Sequence, residues 1–265
     1  RKKHGCKMVL STFMNELFED QYPEIEFVKP GTNVGGLYAM YTIGWYYNED
    51  STVDLSRNPR EFKNLPLQQT ATDILGLEYK EVKPLLKVPS VPKKKKVGIG
   101  FHSTAQPKYW NNPTGWQEVT DYLIAEGYEV VIYSKEGDSY MGNYFPKGAT
   151  KFEATTIENL IKDMVTCEFF IGIGSGLSWL AWSINLPVVL ISGFSEAYSE
   201  PIEGITRVIN EDPNTCRGCF NRFRLDAGDW NWCPEHKGTD RQFECTKTIT
   251  GEMVINKIKH FKNHK

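Results

Sequence analysis

Four cysteines stand close together late in the chain: Cys216, Cys219, Cys233 and Cys245. Their spacing is C-x2-C, then thirteen residues, C, then eleven residues, C. A C-x-x-C knuckle turns two thiolates toward one cation, and two later cysteines can complete a tetrahedral sulfur shell. Cys6 and Cys167 lie apart, in apolar contexts typical of buried thiols. Six cysteines could also form three disulfides, but the clustering of four favours metal and hence a reducing compartment, the cytoplasm. Four thiolates leave no open position for substrate, so the metal reads as structural. Spacing does not separate iron from zinc, because both accept tetrahedral sulfur. His236 reads as a surface histidine. The surrounding Arg217, Phe220, Arg222, Phe223, Arg224, Trp230 and Trp232 suit either a small core around the metal or a subunit or acceptor interface.

A second chemistry sits upstream in two loops. The first is His102-Ser103-Thr104-Ala105-Gln106-Pro107-Lys108-Tyr109-Trp110. Ser103 and Thr104 can donate hydrogen bonds to phosphate oxygens, and Lys108 can act as counter-charge. The same composition also suits a plain polar loop with a helix cap. The second is Gly172-Ile173-Gly174-Ser175-Gly176-Leu177-Ser178-Trp179, where alternate glycines let a ligand approach backbone at a helix start. This is neither the G-x-G-x-x-G dinucleotide fingerprint nor a lysine-bearing P-loop. Two such loops in one domain suit a nucleoside diphosphate.

These loops need strands to carry them. Val97–Phe101, Tyr128–Ser134, Glu168–Ile173 and Val188–Ile191 are apolar enough for buried parallel strands. Between them, 114–126, 156–165 and 177–184 have helical spacing, and Gly127 marks a helix end. The β-α alternation over 97–210 predicts a Rossmann-type sheet whose ligands bind beyond its strand ends. Upstream, the pattern predicts strands at 7–11, 25–28 and 38–47 and helices at 13–18 and 64–75. Residues 83–96 hold three prolines and end in Lys93-Lys94-Lys95-Lys96, which reads as a solvated domain boundary. The amphipathic stretch 251–262 predicts a closing helix. The domains are therefore 1–92 and 93–265, the second including the cysteine insert at 211–247 and the closing helix at 250–265.

Lys plus Arg number 31 and Asp plus Glu 33, without the basic excess of a nucleic-acid binder. No apolar run reaches membrane-spanning length. The chain opens Arg1-Lys2-Lys3-His4 without an initiator Met, and reads as starting mid-element, as a fragment or processed product does.

The pairing of Ser-Thr-x-x-x-Lys-x-Trp at 103–110 with Gly-Ser-Gly-Leu-Ser-Trp-Leu at 174–180 resembles the nucleotide-sugar half of ADP-heptose transferases. Lipopolysaccharide-core heptosyltransferases carry a similar Thr-Thr…Lys-x-Trp-Pro and Asp-Thr-Gly-Leu-Ser-His-Leu. Here Gly174 stands at the Asp position and Trp179 at the His position. With Ser192-Gly-Phe-Ser-Glu-Ala-Tyr, with 64–77 and with the four cysteines, the chain is similar to the bacterial autotransporter heptosyltransferase family along nearly its whole length.

The resemblance implies an α/β fold of GT-B type, with two Rossmann-like domains, the N-terminal one incomplete, and a four-cysteine metal-knuckle insert near the C-terminus. It implies transfer of heptose from ADP-heptose to Ser or Thr hydroxyls of autotransporter adhesins, iron on the cysteines and homo-oligomers. Ser103, Thr104 and Lys108 would hold the donor, Gly174, Ser175, Gly176 and Leu177 would present backbone to its diphosphate, and Trp179, Tyr133 and Ser134 would lie nearby. The family's aspartate base is expected in a turn upstream of Arg1. Asp20, Asp50 and Asp54 stand in other contexts, so no catalytic base is assigned. Two further readings are a metal-knuckle module that only binds an ADP-type nucleotide and a heptosyltransferase acting on lipopolysaccharide.

Overall fold

The computed structural model describes residues 5–263, with the side chains of α8 described as far as residue 260. The chain start at 1–4 and the last two residues of the expected closing helix, 264–265, lie outside that range.

Among the described residues, eight strands and eight α-helices follow in chain order: β1 (Met8–Ser11), α1 (Asn15–Phe18), β2 (Ile25–Val28), α2 (Leu67–Ile74), β3 (Lys96–Gly100), α3 (Gly115–Ala125), β4 (Glu129–Tyr133), β5 (Thr150–Phe152), α4 (Ile157–Met164), β6 (Phe169–Ile173), α5 (Gly176–Ser183), β7 (Val188–Ile191), β8 (Ile205–Val208), α6 (Cys219–Arg222), α7 (Glu244–Lys247) and α8 (Gly251–Asn263). β1 and β2 form a separate parallel pair. The other six strands make one parallel sheet in the order β5-β4-β3-β6-β7-β8. The chain runs outward from β3 to β5 and then crosses back to β6 on the other side of β3. The reversal between β3 and β6 is a topological switch point, where an open sheet leaves a crevice beyond its strand ends.

Alternation of side chains along each strand builds two cores. Val97, Ile99, Val130, Ile132, Phe169 and Ile171 pack on one face against Val119, Leu123, Val254 and Ile258 of α3 and α8. Val131, Tyr133, Phe170, Val188 and Leu190 pack on the other against Ile161, Met164, Leu180 and Trp182 of α4 and α5. These strands are apolar on both faces because helices cover both, which is why their sequence pattern is continuous.

Several expectations change. Residues 38–47 form no strand. Tyr38 is 94% exposed, and the segment's one ladder contact is an isolated bridge from Tyr47 to Val53. Aromatic and β-branched residues favour a pleated surface only where a neighbour supplies it. The helix expected over 64–75 begins at Leu67, because Pro66 holds Leu65 in extended backbone. Lys96 is no solvated linker residue. It opens β3, is 3% exposed and pairs with Asp163 at 2.8 Å. Cys6 is exposed, whereas Cys167 is buried as expected. The sequence pattern gives no sign of β5 and β8, the short edge strands.

Candidate functional site

The crevice at the switch point is bounded by the loops after β3 and β6. The β3 loop carries a short helical turn at Gln106–Lys108, and Tyr109 and Trp110 anchor it. The Trp110 indole donates to the Ile249 carbonyl at 2.8 Å, and Asn111 donates to Thr246 Oγ1 at 2.9 Å. Lys108 thereby points across the strand ends. Its ammonium lies 5.9 Å from the centre of the Phe194 ring and makes no ion pair among the described residues. Burial pushes its pKa down, and Glu200 opposes that shift.

The β6 loop delivers Gly174 and the start of α5. Ser175 caps the helix in extended backbone without a side-chain cap bond, and its Oγ is buried with no partner. The first amides of a helix have no acceptor within it, and the helix dipole adds positive potential there. Lys108 and Gly174 line one small, partly open pocket with Ile191, Ser192, Gly193, Phe194, Ser195 and Thr246. A half-buried ammonium and several hydroxyls thus share this pocket, and the start of α5 lies just beyond Gly174.

Sequence reasoning missed the third loop, Ser192–Ser195. It follows β7, the strand beside β6, so its place at the crevice required the strand order. Thr246 was also missed, since it arrives from the cysteine insert.

Other predicted residues fall elsewhere. Ser103 and Thr104 lie on the same loop as Lys108 but not on this cavity; Thr104 is exposed, and the Ser103 carbonyl accepts from Tyr109. Trp179 lines a second, shallow pocket with Pro66, Gln68, Tyr79, Glu81, Ser199, Glu200 and Pro201. Tyr133 is a correction. It is fully buried on the α4 side, its hydroxyl donating to Asp163 Oδ2 at 2.6 Å, so its side chain cannot reach a ligand. Ser134 is held within the fold by the His102 ring at 2.6 Å and the Glu136 amide at 3.0 Å. Asp50 and Asp54 accept local turn bonds from Thr52 and Ser56.

His102 has no assigned role in the sequence. It is 8% exposed, and its Nε2 is buried without a partner. Burial, helped by Lys151, lowers its pKa from 6.5 to about 4. The unfolded chain therefore takes up this proton first as pH falls. The stability contributed by the neutral ring is complete above pH 6.5 and is lost between pH 6.5 and 4, by up to ~3 kcal/mol. Urea unfolding across that window should show this loss, and His102→Gln should flatten it.

The cysteine insert is built onto the same crevice. Gly218 N donates to Gly193 O at 2.9 Å, and Phe220 N donates to Phe194 O at 3.1 Å. Gly193 packs so closely on the Cys245 carbonyl that a Cβ there would collide with it. Phe194, Cys219 and Trp232 share one small core. The insert is thus a packed extension of the sheet domain rather than a separate projection.

All four cysteines of the insert are free thiols, and Cys219, Cys233 and Cys245 are buried. The Cys216 and Cys219 sulfurs lie 3.9 Å apart, close to the edge of a tetrahedron with ~2.3 Å metal–sulfur bonds. Burial raises the Cys219 thiol to about 11 and the Cys245 thiol to about 12, and neighbouring cysteines add to the rise at Cys245. Crowded buried thiols of this kind ionise when a cation compensates them. Arg222 lies against both knuckle sulfurs, at 3.7 and 3.6 Å, where it would meet an anionic cluster. The ligand atoms of Cys216, Glu235 and His236 also gather within 4.8 Å of one another. His236 is half-buried and stands in this group, where it could serve as a spare ligand. Soft sulfur donors suit iron or zinc rather than magnesium or calcium, so the residues present fit a transition-metal centre.

Comparison with known proteins gives the arrangement its context. The model of glycosyltransferase family 9 (heptosyltransferase) matches residues 53–222. The autotransporter heptosyltransferase Aah of Escherichia coli is 39% identical over 98% of this chain and 67% of its own. The chain belongs to glycosyltransferase family 9. The family 9 chain is also 39% identical to the autotransporter heptosyltransferase TibC of Escherichia coli O78:H11 (strain H10407 / ETEC), over 96% of its length and 64% of that relative's. It therefore spans about two thirds of the length of these relatives. A crystal structure of TibC, a dodecameric iron-containing heptosyltransferase in complex with ADP-D-beta-D-heptose, superposes with a TM-score of 0.90 at 36% identity, covering 99% of this chain and 70% of that one. Escherichia coli ADP-heptose lipopolysaccharide heptosyltransferase II superposes with a TM-score of 0.50 at 13% identity, covering 76% and 63% respectively, a likeness of fold alone. The family 9 chain thus has the GT-B type of α/β fold. Among its described residues no helix is long and apolar enough to cross a membrane.

Proposed function

We propose that this chain is the nucleotide-sugar-binding part of a protein O-heptosyltransferase, taking heptose from ADP-heptose to Ser or Thr hydroxyls of an autotransporter adhesin. The observation that carries the reading is the convergence of Lys108 with the Gly174 turn and the start of α5 at the switch point. The likeness to Aah and TibC supports the sugar and the acceptor class. In this reading the boundary between acceptor and donor domains lies at residue 92/93.

Transfer breaks the bond from the anomeric carbon to the diphosphate oxygen and forms one to the acceptor oxygen. Negative charge grows on the departing ADP. Lys108 and the amides at the start of α5 face that charge and stabilise it as it develops, which is where electrostatic catalysis is effective. Ser192, Ser195 and Thr246 supply hydroxyls along the cavity. Ser103, Thr104 and Ser134 sit on adjoining loops and, with Trp179 on α5, are proposed to orient the rest of the donor. A carboxylate base would take the acceptor proton.

The metal proposed for the insert is iron on Cys216, Cys219, Cys233 and Cys245, serving as a structural cross-link without chemistry on substrate. Its likeness to iron-containing TibC and the sulfur donors support this. Homo-oligomers and a cytoplasmic site of action complete the proposal.

The test is to incubate the full-length protein with ADP-heptose and an adhesin fragment. A mass gain of one heptosyl unit, mapped to Ser or Thr, is the expected result. An unmodified fragment together with unconsumed ADP-heptose would sink the enzyme reading and leave a nucleotide-binding module.

A further inference from the structure

A buried carboxylate stands directly behind the proposed donor cavity. Glu200 is 6% exposed. Its Oε1 accepts from Ser195 Oγ at 2.9 Å, and its Oε2 is ion-paired with Arg207. Arg207 is itself fixed by Ser192 Oγ and the Ser195 carbonyl, so the carboxylate is held from two sides. A Cβ built on Gly174 would stand 2.9 Å from Glu200 Oε1. The Glu200 carboxylate thus occupies the space that a side chain at residue 174 would take. Glu200 also lines the second cavity and so forms part of the wall between the two.

We propose that Glu200 is a positioning residue of the donor site: its carboxylate, held by Ser195 and Arg207 behind the Gly174 turn, props that turn in the shape that receives the donor. The proposal rests on the reading that Lys108 and the Gly174 turn bind the donor diphosphate. Glycine at 174 leaves the room that the Glu200 carboxylate fills. Lys108 needs such an anion, since burial favours its uncharged form and a neutral amine would lose most of its attraction for diphosphate. Among the described residues, Glu200 is the ionisable group that opposes this effect at Lys108. The aromatic ring of Phe194, the hydroxyls of Ser192, Ser195 and Thr246, and Arg207 on the far side of Glu200 complete the surroundings.

The experiment is calorimetric titration of the chain with ADP from pH 7 to pH 10. The unaltered chain should bind ADP and lose affinity as Lys108 deprotonates. Glu200→Gln should move that loss to lower pH, so that binding weakens more on the alkaline side than at pH 7. Glu200→Asp should recover part of the shift. Gly174→Asp alone should weaken ADP binding, because its side chain meets Glu200. The double variant Gly174→Asp with Glu200→Ala should bind more tightly than the two single losses combined predict, since one carboxylate again fills the shared space. Failure of the unaltered chain to bind ADP overturns the donor-site reading itself. Binding by the unaltered chain, with a Glu200→Gln profile that does not move and a double variant that is merely additive, overturns the role of Glu200 alone.

Discussion

Lys108→Ala should weaken ADP binding by about 10- to 100-fold, the equivalent of ~1.5–3 kcal/mol for a hydrogen bond to a charged group. The side chain is half-buried and makes no ion pair among the described residues, so its charge is available to a ligand. Its removal deletes an attraction without leaving a buried carboxylate newly unpaired, because Glu200 keeps Arg207 and Ser195. The fold should therefore survive, and urea unfolding should move little. Calorimetry with ADP reads the loss, and an affinity equal to that of the unaltered chain would remove Lys108 from the site. Lys108→Arg tests geometry instead: it keeps the charge but must fit a planar fork into the space beside Phe194.

The other large effect should come from Cys219→Ser. Cys219 is 6% exposed and packs with Phe194 and Trp232. Replacing its sulfur removes one proposed ligand and leaves a hydroxyl in an apolar core. Loss of a structural metal belongs to the few changes that exceed ~4 kcal/mol. Elemental analysis should show the metal-to-protein ratio falling, and the urea midpoint should drop with it. The effect should reach the cavity too, because Phe194 lies under the Lys108 ammonium and Thr246 follows Cys245 into the cavity wall. ADP affinity should fall although position 219 is not on the cavity. An unchanged metal content would contradict the four-thiolate centre and favour the Cys216, Glu235 and His236 grouping.

The sheet domain was legible in the sequence because its strands are buried on both faces and its helices follow the loops that matter. β3, β4, β6 and β7 each appeared as an apolar run, and both ligand-facing loops followed directly. What remained hidden depended on neighbours distant in sequence. Nothing local to Tyr133 says that its hydroxyl is taken by Asp163, thirty residues on. Nothing local to Lys96 distinguishes it from the three lysines before it, yet one partner on α4 makes it a core residue. The tyrosines of 38–47 have strand propensity but no adjacent strand to pair with. The Ser192 loop became a candidate only once β7 was placed beside β6, and Glu200 only once Arg207 was seen to hold it against Gly174.

The seam at Gly193 has a practical consequence for anyone who would recombine relatives of this chain. The backbone of the β7 loop is joined to the insert at Gly218 and Phe220, and it rests on Cys245 with no room for a side chain. On the far side of the insert, Trp45 stacks between Phe62 and Phe220, with ring centres 4.6 Å apart in each case. The knuckle is thus not a cassette to be excised or transplanted at its sequence boundaries. A chimera that exchanges 211–247 alone would cut through both joints, whereas one that also carries the β7 loop and the 45–62 aromatics moves the whole unit. In divergence the same residues should change together or stay fixed together, whatever the acceptor that each relative modifies.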